Sequence, residues 1–436
     1  MAVLTAPPRT PEQRGRSWST ALVDRLTRWE TPVTSYYLLL GSTLLLVGIG
    51  LVMVLSSSSV ESYAASGSSF AVFSRQAVFA AVGVLLMWAA SRVPVRAWKR
   101  WAWPLLGLAL IGQLLVLTPL GVGVKGNTNW IEVAGVRAQP SEAAKLALAV
   151  WLGAVLARKR HLLSSWAHVL VPVGPFAGLV VGLVLMGNDL GTALVLLAIV
   201  GGALFVAGVP ARMFAVALGL AGAAAAALVV TSPNRMQRID SWLSAECTDY
   251  WGACWQTTHG KWALASGGWW GVGLGASREK WSWLPEAHND FIFAIIGEEL
   301  GLPGTTVVIL LFAAMGVAFA RVVRRTDDLF VKITTAGVLA WVVGQAMINI
   351  GVVLGLLPVI GVPLPLVSAG GSALVSTLVA LGMVLSFARA EPGAREALQA
   401  RPGVVRRSLA VVPLRTPAGA GPGSRPAPRP RRGGPR

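Results

Sequence analysis

The feature that most constrains this chain is the length of its apolar runs. Ten stretches of about 20 residues carry almost no charge, and a helix of that length crosses a hydrocarbon core of about 30 Å. They lie at 36–56, 77–91, 101–120, 141–157, 166–186, 190–208, 211–231, 300–320, 333–356 and 366–388. The sequence therefore predicts an all-α membrane protein with about ten transmembrane helices. A transmembrane barrel would show short segments of alternating hydrophobicity instead.

The composition agrees with a membrane protein. Hydrophobic residues make up 54% of the chain and charged residues only 13%, against roughly 25% charged in soluble domains. This balance excludes a cytosolic enzyme, a disordered scaffold and a small secreted domain stapled by disulfides. The net charge of +18 would suggest nucleic-acid binding in a soluble chain. In a membrane protein its placement matters more, and we expect no nucleic-acid partner.

The placement of basic residues predicts the orientation and the domain limits. With a cytoplasmic N-terminus, 28 of the 37 Lys and Arg residues lie on the cytoplasmic side, so both termini are predicted there. Residues 1–34 are predicted to be a polar cytoplasmic tail rather than a signal peptide, because the apolar run that follows is too long for one. Residues 35–389 form the transmembrane domain, and 390–436 a disordered basic cytoplasmic tail rich in Arg, Pro and Gly.

A large extracytoplasmic loop, residues 232–289, separates the seventh and eighth predicted spans. It holds eight of the 18 tryptophans, which favour the membrane interface, so we expect the loop to lie against the outer leaflet and to contain the functional site. Cys247 and Cys254, the only cysteines, both fall in this loop. A disulfide and two free thiols are equally compatible with their spacing.

Two acids stand at the end of this loop, in the sequence Leu284-Pro-Glu-Ala-His-Asn-Asp-Phe291. Pro285 suits the first turn of a helix, which would place Glu286 and Asp290 on one face. They either offset the positive end of that helix or provide a carboxylate that takes a proton from a substrate hydroxyl. Glu298 and Glu299 follow about two helical turns later. They either line one cavity together with Glu286 and Asp290 or end a short interfacial helix.

A second polar group lies at the outer start of the fourth span. Glu142 and Lys145 are i,i+3 neighbours there, behind a helix cap formed by Ser141 or the preceding turn. Such a pair is either functional or a helix-end pair that extends its charges to the interface, and both interpretations stay open. Asp189 repeats this pattern at the sixth span, where it is either a second functional candidate or simply the helix cap.

The last predicted span opens with irregular backbone. Pro358, Pro363 and Pro365 precede the sequence Ser368-Ala-Gly-Gly-Ser372. At membrane depth, irregular backbone is tolerated only against protein or a water-filled cavity.

Two classes of function fit these features. One is an enzyme acting on a lipid-linked substrate in the outer leaflet, and the other is a transporter or flippase that moves such a lipid. A transporter should carry ionisable residues near the middle of several spans. Because the acids here cluster at the outer ends, the sequence favours the enzyme.

The motifs together resemble those of the SEDS family (shape, elongation, division and sporulation), over roughly residues 36–389. The similar segments are Gln139–Lys145, Asp189–Thr192, Gly267–Gly275, Leu284–Phe293, Gly297–Gly301 and Asn349–Pro358. Within the family, the segments around Gly271 and Glu286 are more similar to the division branch than to the elongation branch. Three positions depart from the usual pattern: Asn188 replaces Pro, Asn289 replaces Thr, and Ala369 replaces Tyr.

The resemblance implies a peptidoglycan glycosyltransferase that polymerises lipid II on the outer face of the bacterial cytoplasmic membrane. Asp290 would take the proton from the acceptor's 4-hydroxyl, and undecaprenyl diphosphate would leave with inversion. Lys145, Arg238 and Lys280, in that order, would stabilise the leaving group, with Mg²⁺ or Mn²⁺ as an additional charge and no organic cofactor. The full set of candidate substrate-binding residues is Lys145, Glu142, Arg238, Lys280, Glu286, His288, Ser368, Gly370 and Gly371.

The resemblance also implies partners and a place in the cell. Members of the division branch work with a class B penicillin-binding transpeptidase and other division membrane proteins at the septum. The alternatives are a lipid II flippase, and the same polymerase chemistry used in elongation rather than division.

Overall fold

The computed structural model describes residues 33–124, 127–133, 135–230, 233–243, 250–252 and 254–400. Within them the chain is mainly helical, with one small sheet of three strands. The helices are α1 (Thr34–Ser66), α2 (Ala71–Ala90), α3 (Val95–Val116), α4 (Pro140–Arg158), α5 (Trp166–Met186), α6 (Leu190–Val206), α7 (Ala211–Val230), α8 (Pro233–Leu243), α9 (Trp255–Gly267), α10 (Ile292–Arg325), α11 (Leu329–Val353), α12 (Gly371–Arg389) and α13 (Ala394–Ala400). The strands are β1 (Gly121–Val124), β2 (Asn127–Val133) and β3 (Val136–Ala138).

Each of the ten predicted spans coincides with a helix, so the predicted all-α membrane fold is confirmed. In the described part of the chain, seven helices are long and apolar enough to cross a membrane. They are α1, α2, α4, α5, α10, α11 and α12. The apolar helix α6 and the apolar part of α7 are shorter, and α3 has Arg96, Lys99 and Arg100 in its first turns.

Helix α4 occupies the centre of the bundle. Pro140 is its first residue, where a missing N–H costs nothing. In the apolar stretch of the helix, 89% of the residues are buried inside the protein. It contacts α3, α6, α11 and α12, which explains why its sequence is apolar on every side. The fully buried Trp151 packs edge-on against Trp103 at a centroid distance of 5.5 Å. The polar residues at the outer end of α4 therefore enter a protein core rather than lipid.

The small sheet between α3 and α4 was not predicted. Its strands pair antiparallel in the order β1-β2-β3, and they are too short to give a clear alternating pattern. The N–H of Thr128 donates to the carbonyl of Gly187 at 3.1 Å. This bond ties the sheet to the end of α5.

The predicted loop 232–289 contains two helices, α8 and α9, which the sequence analysis did not separate from it. Cys254, just before α9, is in a disulfide, whereas Cys247 lies outside the described residues. The predicted tails fall mostly on residues 1–32 and 401–436, which also lie outside the described residues.

Candidate active site

The segment before α10 is a series of turns, so the predicted helix beginning at Pro285 is wrong. Glu286 has a left-handed backbone (φ 57°), which an L-residue cannot adopt in a right-handed helix. Its carbonyl accepts the N–H groups of Asn289 at 3.0 Å and Phe291 at 3.2 Å. The helix begins only at Ile292, and Glu286 and Asp290 therefore do not share a helix face.

Three consecutive carbonyls hold this segment in place. The carbonyl of His288 accepts the Ala369 N–H at 2.9 Å, and that of Asn289 accepts the Ser368 hydroxyl at 2.7 Å. The carbonyl of Asp290 accepts the Asn349 amide at 2.7 Å. We call these three bonds the carbonyl clamp. Because Asn349 belongs to α11 and the other two donors precede α12, the clamp fixes Asp290 to the helical core.

The Asn349 amide also holds a second segment. Its Nδ2 donates to the carbonyl of Val362 at 2.8 Å, next to Gly361. A Cβ placed on Gly361 would lie 3.6 Å from Oδ2 of Asp290, and Gly361 has the positive φ (76°) that favours glycine. The Asp290 carboxylate is thus placed against a glycine, and the residue is only partly buried.

Two neighbours of Asp290 are held by side-chain contacts. The Asn289 amide donates to Oε2 of Glu286 at 2.6 Å. Nδ1 of His288 lies 3.3 Å from Oε2 of Glu61, on α1. Glu61 was not singled out from the sequence, since nothing in a long apolar helix with a polar end marks one acid as functional.

The buried pair Glu142–Lys145, in the first turns of α4, contacts α11. Nζ of Lys145 is 2.8 Å from Oε1 of Glu142, and it donates to Oε1 of Gln345 at 3.3 Å. The two side chains of the pair are only 5% and 2% exposed, so the interpretation as a helix-end pair reaching the interface is wrong. The nitrogen also lies 5.1 Å from the ring centroid of Trp341, a cation–π distance.

A small cavity of about 20 Å³ lies between Glu142 and the clamp residues Ser368 and Ala369. Glu142, Gln345, Ser368 and Gly370 are among its lining residues. Gly371 begins α12, and a Cβ there would overlap the ring of Phe79, so this glycine serves close packing.

Polar side chains order the backbone around the cavity. Gln76 donates to the carbonyl of Ser368 at 3.2 Å and accepts the N–H of Gly370 at 3.1 Å. The predicted cap at Asp189 is confirmed, because its Oδ1 accepts the Thr192 N–H at 2.8 Å. Helix α4, by contrast, begins after Gln139 without a side-chain cap, so the predicted cap by Ser141 is wrong.

Lys280, the third candidate cation, lies in a different cluster. Its Nζ is 3.5 Å from Oε1 of Glu299 and also donates to the carbonyl of Gly275. Glu299 accepts the Ser56 hydroxyl on both oxygens, at 2.6 and 2.7 Å. Glu298 accepts the Ser277 hydroxyl and, at 2.9 Å, the Arg278 N–H. These two acids therefore fasten the segment 275–280 to α10 and α1.

A paired acid lies further out in the loop. Oε2 of Glu279 is 2.6 Å from Nδ1 of His259, on α9. Burial raises the pKa of Glu279 above its usual range, although the His259 contact acts in the opposite direction. The rings of Trp255, Trp262 and Trp283 surround His259 at centroid distances of 4.1 to 6.0 Å.

Two exposed cations reach the segment between α11 and α12. Nη1 of Arg238, on α8, donates to the carbonyl of Val359 at 3.4 Å. The side chain of Lys261, on α9, lies against Gly355, where a Cβ would be 3.1 Å from Nζ. Lys261 was not among the residues predicted from the sequence, although it is the only Lys, Arg, Asp or Glu of α9.

The described residues do not fit a metal site built by the protein alone. No group of three or more His, Cys, Asp or Glu side chains comes together among them. Mg²⁺ commonly uses one or two carboxylates together with substrate phosphates, so the predicted divalent cation stays a prediction that depends on substrate.

Comparison with known proteins identifies the family. The family described as "cell cycle protein", which comprises FtsW, RodA and SpoVE, matches residues 36–392. The chain belongs to this family. The resemblance to SEDS proteins is thereby confirmed.

Individual family members are similar over most of the chain. A 410-residue alignment, covering 93% of this chain and 78% of the relative, is 40% identical to the "Probable peptidoglycan glycosyltransferase FtsW" of Mycobacterium tuberculosis. The stage V sporulation protein E of Bacillus subtilis is 38% identical over 350 residues, 80% of this chain and 95% of the relative. The predicted similarity to division proteins of high-GC Gram-positive bacteria is thus confirmed.

Two solved structures have a similar fold. The rod shape determining protein RodA of Thermus thermophilus is 26% identical with a TM-score of 0.61, covering 81% of this chain and 97% of that one. A chain from a structure described as "structural coordination of polymerization and crosslinking by a peptidoglycan synthase complex" has the same identity and coverage, with a TM-score of 0.66.

Two departures from the SEDS pattern fall within the clamp, and both contribute backbone groups: Asn289 its carbonyl and Ala369 its N–H. Ala369 stands where the family commonly has Tyr, and its contribution to the clamp is a backbone N–H. Any residue except proline supplies that donor, so the substitution leaves the clamp intact.

Proposed function

We propose that this chain is a peptidoglycan glycosyltransferase of the FtsW type, which polymerises lipid II during cell division. The observation that carries the proposal is the carbonyl clamp, which holds Asp290 beside a cavity lined by Glu142, Ser368 and Gly370. The names of the relatives support the same activity.

Asp290 acts as the general base in this proposal. Its carboxylate accepts the proton of the acceptor's 4-hydroxyl as that oxygen forms a bond to the anomeric carbon of the donor. The bond from that carbon to the diphosphate oxygen breaks, undecaprenyl diphosphate leaves with both electrons, and the configuration inverts. The clamp favours the step because a base fixed in advance needs no reorganisation when the hydroxyl arrives.

The leaving diphosphate needs positive charge. Arg238 is exposed and close to the Asp290 segment, whereas Lys145 and Lys280 are buried in ion pairs. We therefore assign the main contact with the leaving group to Arg238. Lys145 positions Glu142, and Lys280 has a structural role. A divalent cation bound with the substrate would neutralise further charge. We expect EDTA to reduce activity and Mg²⁺ or Mn²⁺ to restore it.

The proposed setting is the bacterial cytoplasmic membrane at the septum, with both termini in the cytoplasm. A class B penicillin-binding transpeptidase and other division membrane proteins are the proposed partners. The similarity to a chain of a peptidoglycan synthase complex supports a protein partner. Elongation is the alternative setting, favoured by the similarity to RodA. Depletion of the protein from growing cells distinguishes the two settings, because loss of a division enzyme gives filaments and loss of an elongation enzyme gives rounded cells.

The deciding experiment compares wild type with Asp290→Asn, which retains the shape of the side chain but not the base. Each protein is purified in detergent with its transpeptidase partner, given lipid II and Mg²⁺, and its glycan products are separated on a gel. We expect the substitution to lower the rate by roughly 10²- to 10⁴-fold, the usual contribution of a general base. Glu132→Gln, which removes a partly exposed acid that pairs with Arg137 on the small sheet, is the matched control and should stay active.

Equal unfolding midpoints for the variants would show that a loss of activity is not a loss of folding. If wild type forms no polymer with its partner while lipid II crosses liposome bilayers that contain the protein, the glycosyltransferase proposal is wrong. The flippase would then replace it.

A further inference from the structure

The segment between Gly355 and Gly361 is contacted by the outer loop at several points. Nε1 of Trp242 donates to the Gly355 carbonyl at 3.1 Å, and Lys261 lies against the same glycine. Arg238 bonds to Val359, and Gly361 faces the Asp290 carboxylate. Six residue steps separate Gly355 from Gly361, so their Cα atoms are at most about 20 Å apart. Lys261 and Arg238 therefore contact one short segment, whose last residue, Gly361, faces the Asp290 carboxylate.

Arg238 and Lys261 are accessible to an added anion, whereas Lys145 and Lys280 are not. The Lys145 ammonium is buried against Glu142 and Gln345, and that of Lys280 against Glu299. Lys261 is exposed, and in the part of the chain that the structure describes no hydrogen bond or ion pair engages its ammonium. Its charge is free to bind an anion, whereas a new anion at Lys145 or Lys280 would have to displace a carboxylate.

We infer that Lys261 and Arg238 form a diphosphate subsite, in which the ammonium of Lys261 binds the diphosphate of the lipid-linked sugar together with the Arg238 guanidinium. A guanidinium offers two parallel donors to a phosphate and an ammonium a compact point charge, so the pair suits two adjacent phosphates. The inference rests on the proposed function and adds to it a residue that recognises the leaving group.

The test measures binding and turnover separately. Dissociation constants for undecaprenyl diphosphate are measured in detergent by tryptophan fluorescence, for which Trp242 is suitably close to Lys261. Undecaprenol, which lacks phosphate, and phosphatidylglycerol, an anionic membrane lipid, serve as comparison ligands. We expect Lys261→Gln to weaken undecaprenyl diphosphate binding roughly tenfold, as expected for loss of a charge-assisted hydrogen bond, and to leave undecaprenol binding unchanged. Lys261→Arg should restore most of the affinity.

Arg278→Gln is the matched control, because it removes one exposed positive charge from the same loop. Equal affinity of Lys261→Gln and wild type for undecaprenyl diphosphate would overturn the inference. So would an equal loss for undecaprenol, which would indicate a structural effect, or an equal loss for phosphatidylglycerol, which would indicate a general lipid contact. If wild type polymerises lipid II but Lys261→Gln gives any of these three outcomes, the proposed function stands without the subsite. If wild type does not polymerise lipid II, the proposed function itself fails.

Discussion

At the scale of single residues, burial of the charged pair Glu142–Lys145 costs hydration free energy, but the pair fixes the position of α4 against its neighbours. Two charges removed from water lose hydration, and their mutual attraction recovers that loss only with good geometry and further hydrogen bonds. Here Gln345 supplies one such bond, and its own amide donates to the carbonyl of Pro363 at 2.8 Å. The pair thus links α4 to α11 and to the proline-rich segment before α12.

This arrangement predicts different effects for single and double substitutions. Glu142→Gln leaves the Lys145 ammonium buried without its carboxylate and should destabilise the protein by about 3–5 kcal/mol. The double variant Glu142→Leu with Lys145→Met removes both charges and should recover most of the unfolding midpoint. Thermal unfolding in detergent measures both variants. A double variant that unfolds as early as the single one would show that the charges stabilise the fold.

The pair Glu279–His259 predicts a pH dependence of stability. Since burial raises the pKa of Glu279, the folded protein binds more protons than the unfolded chain between the unfolded and folded pKa values. Stability from this group is therefore greatest below the usual pKa of 4.5 and falls as the pH rises through the raised value. Glu279→Gln should flatten that fall in unfolding midpoints measured between pH 4.5 and 7. Glu132→Gln should follow wild type, and a Glu279→Gln profile that also follows wild type would refute the assignment.

At the scale of elements, α10 is interrupted where the glycine-rich segment of the outer loop crosses it. Gly301 has a non-helical backbone (φ 64°, ψ −159°), which divides the helix into a short first part, buried from Ile292 to Glu299, and a long second part. The carbonyls of Glu298 and Glu299 accept the N–H groups of Val272 and Gly273 at 2.9 and 3.0 Å. The two backbones are so close that neither Gly271 nor Gly301 has room for a side chain.

Gly271 and Gly275 separate the effect of space from that of backbone conformation. Both have positive φ, 76° and 82°, but a Cβ on Gly271 would overlap the backbone of Glu299, whereas one on Gly275 meets nothing within 4 Å. Alanine at either position should cost about 1–2 kcal/mol for the left-handed backbone. We expect Gly271→Ala to cost clearly more and to lower polymerisation as well. Equal unfolding midpoints for the two variants would show that the close approach is unimportant.

The helices could be predicted from the sequence, but the active-site backbone could not. Runs of apolar residues determine spans because lipid imposes one length on every helix, and all ten coincided with helices. The ends were less accurate: α1 extends to Ser66, ten residues beyond its predicted limit, because polar residues continue a helix once it leaves the membrane. The turns at 285–291 depend on bonds to residues 349, 368 and 369, and local sequence does not encode such distant partners.

At the scale of the whole molecule, the distribution of charge predicts two chemically different faces. Arg137 on the small sheet and Trp269 after α9 belong to the predicted outer side, while Arg324 at the end of α10 belongs to the predicted inner side. All three are exposed. If both termini are cytoplasmic, the first two positions face the cell exterior.

Single cysteines at these positions test the orientation. A membrane-impermeant maleimide added to intact cells should label Arg137→Cys and Trp269→Cys, and should label Arg324→Cys only after permeabilisation. The unsubstituted protein is the background control, since Cys254 is in a disulfide. Labelling of Arg324→Cys in intact cells would reverse the predicted topology.

The carbonyl clamp has a mechanical consequence. Helix α9 is hydrogen-bonded to the chain just before the clamp. Nε1 of Trp255 donates to the carbonyl of Trp283 at 2.6 Å, and Nε2 of Gln256 donates to that of Pro285 at 3.1 Å. From His288 onward the backbone is fastened to α11 and the segment before α12 instead. Only Glu286 and Ala287 separate the part of the chain attached to α9 from the part attached to the helical core. A displacement of α9 would therefore reach the chain at Pro285, while the backbone of Asp290 stays bonded to Asn349.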